Sequence, residues 1–419
     1  MSGAVRGGAG RAGSGGRGGA AGPRPTELRV LGCEARPLTV ELANPFRIAG
    51  ATLEHVENAA VLLHAAGGAS GWGESPSLPP VTVLPPAEAL AAVGAMAEWV
   101  TGRECGLESL FPGAGPPWAP LQLLRDLQAA FPGHRYAAAR CGVEMALLDA
   151  AARQWGAPLW HCFGGRGERA ELVTDITVPI CEGALAYQLT AQYLLDGGFD
   201  AIKVKVRGDL EPDLALCEAI AGALEEFATP TTRGLLIDAN CGYSARGAIE
   251  FVDRLRAATS YGVEVLEQPV PREDWEGLKA VTEAMAERGI IVIADESCRS
   301  VEDVERIAAG GLAHGVNVKL AKSGVVEAVE IWKAAHVHGL KLMIGGMVES
   351  RVAMGFSANL AVGLGGFEYV DLDTPILMAS DPVFGGYEIQ GQKLVVDAAA
   401  PGLGCTVPNV MTMVDTNCA

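Results

Sequence analysis

Two lysines spaced by two, Lys203 and Lys205, stand inside the apolar, β-branched run Ile202-Lys203-Val204-Lys205-Val206. Strand alternation turns both ammonium groups to one face. An apolar strand of this kind suits a buried parallel sheet, where like charges are costly unless a ligand or counter-charges hold them. An exposed strand edge guarded by lysines is the competing reading. Counter-charges follow along the chain: Asp238 ends Leu235-Leu236-Ile237, Glu267 ends Val265-Leu266, Asp295 ends Ile291-Val292-Ile293-Ala294, and a third lysine, Lys319, follows Val316-Asn317-Val318. Three gathered carboxylates form a hard, oxygen-rich set whose repulsion a divalent cation such as Mg²⁺ relieves. Asp238, Glu267 and Asp295 are therefore the candidate metal ligands, with one Mg²⁺ expected per subunit. Lysines on opposite sides of that cation would flank the α-carbon of a bound substrate carboxylate, and each could remove or return a proton on one face.

These side chains recur at intervals of roughly 30 residues, about one strand–helix–strand unit. Helix-like segments fall between them, over Ala245 to Ala258, Trp275 to Arg288 and Val301 to Ala309. The charged residue always ends its strand, the face on which barrel enzymes build their sites. The chain thus reads as α/β, a modified TIM barrel of (β/α)7β form.

Lys203-x-Lys205, Asp238, Glu267, Asp295 and Lys319 together resemble the enolase superfamily, in particular its muconate-lactonising subgroup. Enolase-superfamily sites pair a lysine or histidine base with Mg²⁺ that stabilises an enediolate. Gly142 to Asp149, Pro158-Leu159 and Gly164-Gly165 resemble the helix and turn that enter the barrel in these proteins, and Gly71-Trp72-Gly73-Glu74 resembles a turn of the amino-terminal capping domain. The resemblance implies catalysis by Lys205 and Lys319 as acid and base in turn, through an enediolate stabilised by Mg²⁺. A free lysine titrates near about 10.4; the neighbouring ammonium of Lys203, the cation and partial burial are expected to disfavour the charged form of Lys205. Lys203 is expected to stabilise the carboxylate, and Thr177, closing Thr174-Asp175-Ile176, resembles a substrate-contacting threonine of these proteins.

A finer reading comes from Val370-Asp371-Leu372-Asp373-Thr374-Pro375 at the eighth-strand position. Two acids before a proline can be a solvated turn; at the barrel mouth they suit a substrate ammonium group. The acid-x-acid motif, with Gly345-Gly346-Met347-Val348-Glu349-Ser350-Arg351 before it and Asp381-Pro382-Val383 after it, resembles that of dipeptide epimerases, and it implies substrate contacts by Met347, Asp371 and Asp373. The implied activity is Mg²⁺-dependent inversion of the α-carbon of the C-terminal residue of a dipeptide. One departure bears on specificity: relatives acting on Ala-Glu carry an arginine in a capping loop where Ala51 stands here, and Arg47 is the adjacent cation. A preference for apolar or varied second residues stays open. An N-acylamino acid racemase, an o-succinylbenzoate synthase or a cycloisomerase would share the lysines and acids without needing Asp371 and Asp373. A sugar-acid dehydratase would place a histidine after the seventh strand, whereas His336 and His338 precede it. A non-catalytic barrel acting as a binding module would have lost a ligand or a lysine, and none is lost.

At 419 residues and 49% apolar content the chain can hold a barrel of some 250 residues plus a cap. We expect a disordered leader over 1–26, an α+β capping domain over 27–140, the barrel over 141–384 and a tail over 385–419 packing on the cap. The leader holds Arg6, Arg11, Arg17 and Arg24 and no acid; its glycine content favours a flexible segment over an organelle transit peptide. A net charge of −18 argues against nucleic acid as a partner, and no apolar run reaches membrane-spanning length. The ten cysteines form no Cys-x-x-Cys pair and suggest reduced thiols in the cytoplasm, Cys298 falling near Asp295. A homo-oligomer is expected.

Overall fold

The computed structural model describes residues 26–48, 51–79, 81–110, 121–167, 169–397 and 400–408. The leader expected over 1–26 lies outside these apart from Thr26, and the side chains of Arg47 and Ala51 also lie outside the described residues.

The chain opens on an antiparallel sheet of β1 (Glu27–Ile48), β2 (Ala51–Ala65), β3 (Ser70–Ser75) and β4 (Glu104–Gly106), in the order β3-β2-β1-β4. β1 continues past Leu42 to Ile48. Asn44 and Pro45 fall in a register shift between Glu41 and Phe46, and such a bulge accommodates a proline that cannot donate to the ladder. Helices α1 (Pro86–Val100) and α2 (Gln122–Ala130) complete this cap.

α3 (Ala137–Trp155) is buried at every residue from Ala137 to Ala152, the signature of a helix enclosed on all sides. β3 lies directly on it. A Cβ on Gly73 would run into the Gly142 carbonyl, and one on Gly71 into the Ala146 carbonyl, so glycine at both positions is what lets strand and helix backbones touch.

After β5 (Arg169–Val173) come eight parallel strands: β6 (Ile176–Val178), β7 (Ile202–Lys205), β8 (Leu235–Asp238), β9 (Val263–Glu267), β10 (Ile291–Ala294), β11 (Gly315–Val318), β12 (Lys341–Gly345) and β13 (Tyr369–Asp371). Seven helical connections join them, through α4 (Gly183–Gln192), α5 (Leu210–Phe227), α6 (Ala245–Ala258), α7 (Trp275–Ala286), α8 (Val301–Gly310), the short α9 (Leu320–Ser323) with α10 (Val325–Val337), and α11 (Arg351–Leu364). This is the (β/α)7β barrel with an α+β cap that the sequence implied. Several helices start on side-chain caps: Ser244 accepts from Gly247 N, Asp274 from Gly277 N, and Ser300 and Asp303 form a capping box.

Alternation divides each strand. Ile176, Ile202, Ile237, Leu266, Val292, Val316 and Leu342 turn outward into the core shared with the helices. Ala201, Leu236, Val265, Ile293, Met343 and Tyr369 turn inward and form a separate apolar floor. Two residues beyond members of this floor stand Lys203, Asp238, Glu267, Asp295 and Asp371. The ladder does not run between β6 and β13; that seam is closed by Asp175 N to Val370 O (2.9 Å), Leu372 N to Thr174 Oγ1 (2.9 Å) and Thr177 N to Asp373 Oδ2 (2.7 Å).

The last strands are β14 (Phe384–Gly385), β15 (Glu388–Gln390), β16 (Lys393–Asp397) and β17 (Cys405–Thr406). Within the tail, β16 pairs with β5, while Leu403 N and Cys405 O bond Asp149 and Arg153 of α3. Cys33, Cys105, Cys141, Cys162, Cys217, Cys241, Cys298 and Cys405 are free thiols, and among the described residues no helix is long and apolar enough to cross a membrane.

Candidate active site

The cap reaches over the carboxyl ends of the strands. Ala43 N bonds Leu377 O (3.0 Å), Ala379 N bonds Glu41 O (2.9 Å), and Asn58 Nδ2 bonds Val348 O (2.9 Å). Beneath it Glu74, wholly buried, accepts from Ser350 N (3.0 Å), Ser350 Oγ (2.6 Å) and Asn58 Nδ2 (2.7 Å). The pocket so enclosed is walled on the cap side by Leu42, Leu78 and Val81 and on the barrel side by Met347, Val348 and Leu377. Thr177, Lys205, Lys319, Asp295, Asp371 and Asp373 also line it.

The residues singled out from sequence come together at this mouth. Lys203 is 1% exposed, and its Nζ reaches Glu267 (2.7 Å), Asp238 (3.1 Å) and Asp371 (2.6 Å). Lys205 Nζ lies 2.5 Å from Asp238 Oδ2. Across the ring, Lys319 Nζ lies 2.9 Å from Asp295 Oδ2. Cys298 is buried behind Asp295, its thiol pushed up to about 12 by burial.

Burial opposes charge on Lys203 and Lys319, yet the carboxylates outweigh it and raise both pKa values: Asp371, Glu267 and Asp238 around the first, Asp295 and Glu267 around the second. Burial likewise opposes charge on Asp238 and Asp295. Lys205 with Lys203, and Lys319 with Lys322, nonetheless hold these carboxyls below the usual range. Glu267 moves the other way, raised by burial and then by Asp238. On the same wall Glu296 is pushed up to about 8, by burial first and then by Asp295 and Asp238.

Several contributors escape sequence reasoning. Lys322, three residues after Lys319, folds its Nζ onto Asp295 Oδ1 (2.6 Å), Asp295 O (2.5 Å) and Asn317 O (2.9 Å), so Asp295 is gripped by lysines on two sides. Asn317 Nδ2 donates to Glu267 Oε1 (2.8 Å). Gln268, buried and at φ 34°, accepts from Asp295 N (3.0 Å) and donates to Ser297 Oγ (2.9 Å), tying the end of β9 to the start of the next loop. Alternation could have found Asp175, which shares a face with Thr177. Among the described residues the acids whose oxygens converge within 4.8 Å are Asp175, Asp371 and Asp373, whereas Asp238, Glu267 and Asp295 are each drawn to an ammonium.

The family model described as "Enolase C-terminal domain-like" matches residues 186–410, and the chain belongs to that family, as an isomerase. It is 42% identical over 359 residues to an L-Ala-D/L-amino acid epimerase of Populus trichocarpa, covering 85% of this chain and 80% of that protein. It is 39% identical over 381 residues to an aromatic dipeptide epimerase of Herpetosiphon aurantiacus, covering 90% and 99%. Among solved structures, the dipeptide epimerase of Enterococcus faecalis complexed with Mg and the dipeptide L-Leu-L-Tyr superposes with a TM-score of 0.78 at 27% identity, covering 90% of this chain and 99% of that one.

Proposed function

We propose that the protein inverts the α-carbon of the C-terminal residue of a dipeptide by moving a proton between two lysines. The observation that carries this reading is one pocket holding two facing amines and, beside them, an acidic pair. Lys205 ends β7 and Lys319 follows β11, four strands apart in a ring of eight, so a carbon held between them meets one amine on each face. One lysine takes the α-proton from one face and the other returns a proton to the opposite face. Asp371 and Asp373 take the ammonium at the dipeptide's amino terminus, a charge that an acylated amine lacks. The names of the relatives support the dipeptide as substrate.

Asp238, Glu267 and Asp295 would hold a Mg²⁺: they are buried oxygen donors without a thiolate or imidazole among them, the set a hard cation prefers. Bound there, the cation supplies positive charge against the negative charge that develops on the substrate carboxylate. Lys203 and Asn317 orient Asp238 and Glu267, and Lys322 orients Asp295.

The apolar wall of Leu42, Leu78, Val81, Met347, Val348 and Leu377 favours an apolar side chain on the inverted residue. A library of dipeptides in D₂O tests the reading through incorporation of deuterium at the C-terminal α-carbon. Exchange is expected, stronger for Leu, Phe or Tyr than for Glu at the second position. Absence of exchange with every dipeptide, while N-acylamino acids exchange, would overturn it.

A further inference from the structure

Asp175 and Thr177 face the barrel interior two residues apart on one strand edge, and the layer below Thr177 is otherwise apolar: Ala201, Leu236, Val265, Ile293, Met343 and Tyr369. In that floor Asp175 is 3% exposed, and among the described residues neither of its carboxylate oxygens has a hydrogen-bond partner. A buried acid left unpaired is costly, and the cations around it are committed elsewhere. Lys203 has three protons, and Asp238, Glu267 and Asp371 are there to accept them. Arg233, which lines the cavity beneath Asp175, is paired with Glu264 and stacked over the Tyr369 ring at 4.7 Å.

Oxygens of Asp175, Asp371 and Asp373 lie within 4.8 Å of one another. A primary ammonium donating three bonds of about 2.8 Å at tetrahedral angles keeps its acceptors about 4.6 Å apart, so the three acids stand close enough for one ammonium to reach all of them. One oxygen of Asp371 is already held by Lys203 (2.6 Å), and one of Asp373 by Thr177 N (2.7 Å). Asp175 alone offers both of its oxygens.

We propose that Asp175 is the third acceptor of the substrate ammonium, closing from below a cradle of which Asp371 and Asp373 are the upper two members, and that the cradle selects a primary amine with three donors over a secondary or acylated one. This rests on the dipeptide reading of the site. Asp175 is a binding residue here, so its loss acts on affinity and leaves the lysines in place.

The test measures, by calorimetry on the full chain, the binding of L-Ala-L-Phe, its N-methyl derivative and N-propionyl-L-Phe, which lacks the amine, to the parent and to Asp175→Asn. The parent is expected to bind the primary amine tightest. The variant is expected to lose about 10- to 100-fold on L-Ala-L-Phe, less on the N-methyl compound and nothing on N-propionyl-L-Phe, with KM rather than kcat carrying the change. Its melting temperature is expected to be no lower than the parent's, and Asp175→Ser is expected to show the same selective loss. Equal losses on all three ligands, or unchanged binding of L-Ala-L-Phe, would overturn the proposal. So would competition by K⁺ but not by choline, with amino and propionyl ligands affected alike, since an inorganic cation would then own the three oxygens. Turnover is read separately: failure of α-proton exchange with the parent sinks the dipeptide epimerase reading, while the ligand preference still reports on the cradle.

Discussion

Lys203 joins the two halves of the site. Its ammonium touches two of the expected metal ligands and one member of the acidic pair, so under the proposed function one side chain would position both the cation and the substrate amine. Asp373 adds a pH dependence: burial, and then the neighbouring Asp371, push its carboxyl up to about 6. Below that pH it carries a proton and, in the proposed role, would no longer pair as an anion with the substrate ammonium. KM for a dipeptide is therefore expected to climb by up to about tenfold per unit as pH falls below about 6, while KM for an N-acylamino acid stays flat; parallel curves for both substrates would contradict the assignment. Stability moves the opposite way. With its pKa raised on folding, Asp373 binds its proton more readily in the native state, so its own contribution, taken as the difference from Asp373→Asn, improves as pH falls from about 6 toward about 4. The opposed signs separate a lost clamp from acid unfolding.

The elements that carry these residues are legible in the sequence to different degrees. Strands ending in a charge and helices with caps follow local rules of alternation and capping, which is why β7 to β11 and α6 to α8 agree with the sequence reading. Lys322 is not legible, because its part depends on α9 turning its Nζ back toward β10. The β6–β13 seam is not legible either: a threonine hydroxyl and an aspartate there replace ladder bonds, and no periodicity encodes that. Between cap and barrel, Glu74 and Glu349 lie buried together. Burial and then Glu74 push the Glu349 carboxyl up to about 8. A carboxyl raised in this way weakens folding increasingly as pH rises from its unfolded value toward about 8. Glu349→Gln, which keeps an acceptor for Met347 N, is expected to raise the melting temperature by roughly 2–4 °C, with a gain that grows between about pH 5 and 8 and then levels. A gain independent of pH, or a loss, in thermal melts across that range would show that the acid is not held under strain there.

For the whole molecule, the barrel supplies the charges and the cap walls the pocket above them with Leu42, Leu78 and Val81. Barrel and cap are both readable because the charged residues recur once per strand–helix unit and the apolar runs between them fix the alternation. The tail escapes such reading because Lys393–Asp397 is a short strand whose partner, β5, is more than 200 residues earlier, and long-range pairing of that kind leaves little trace in local sequence. In the proposed reaction two lysines serve the two faces of one carbon, and Lys205→Ala and Lys319→Ala separate their roles. Each diastereomer of a dipeptide that the parent epimerises is incubated with each variant in D₂O, and loss of the α-proton signal is followed by NMR. Neither variant is expected to epimerise; each is expected to keep exchange for one configuration only, and the two variants for opposite configurations. Exchange of both configurations by a single variant would mean that one base reaches both faces, and would rule out the two-lysine mechanism.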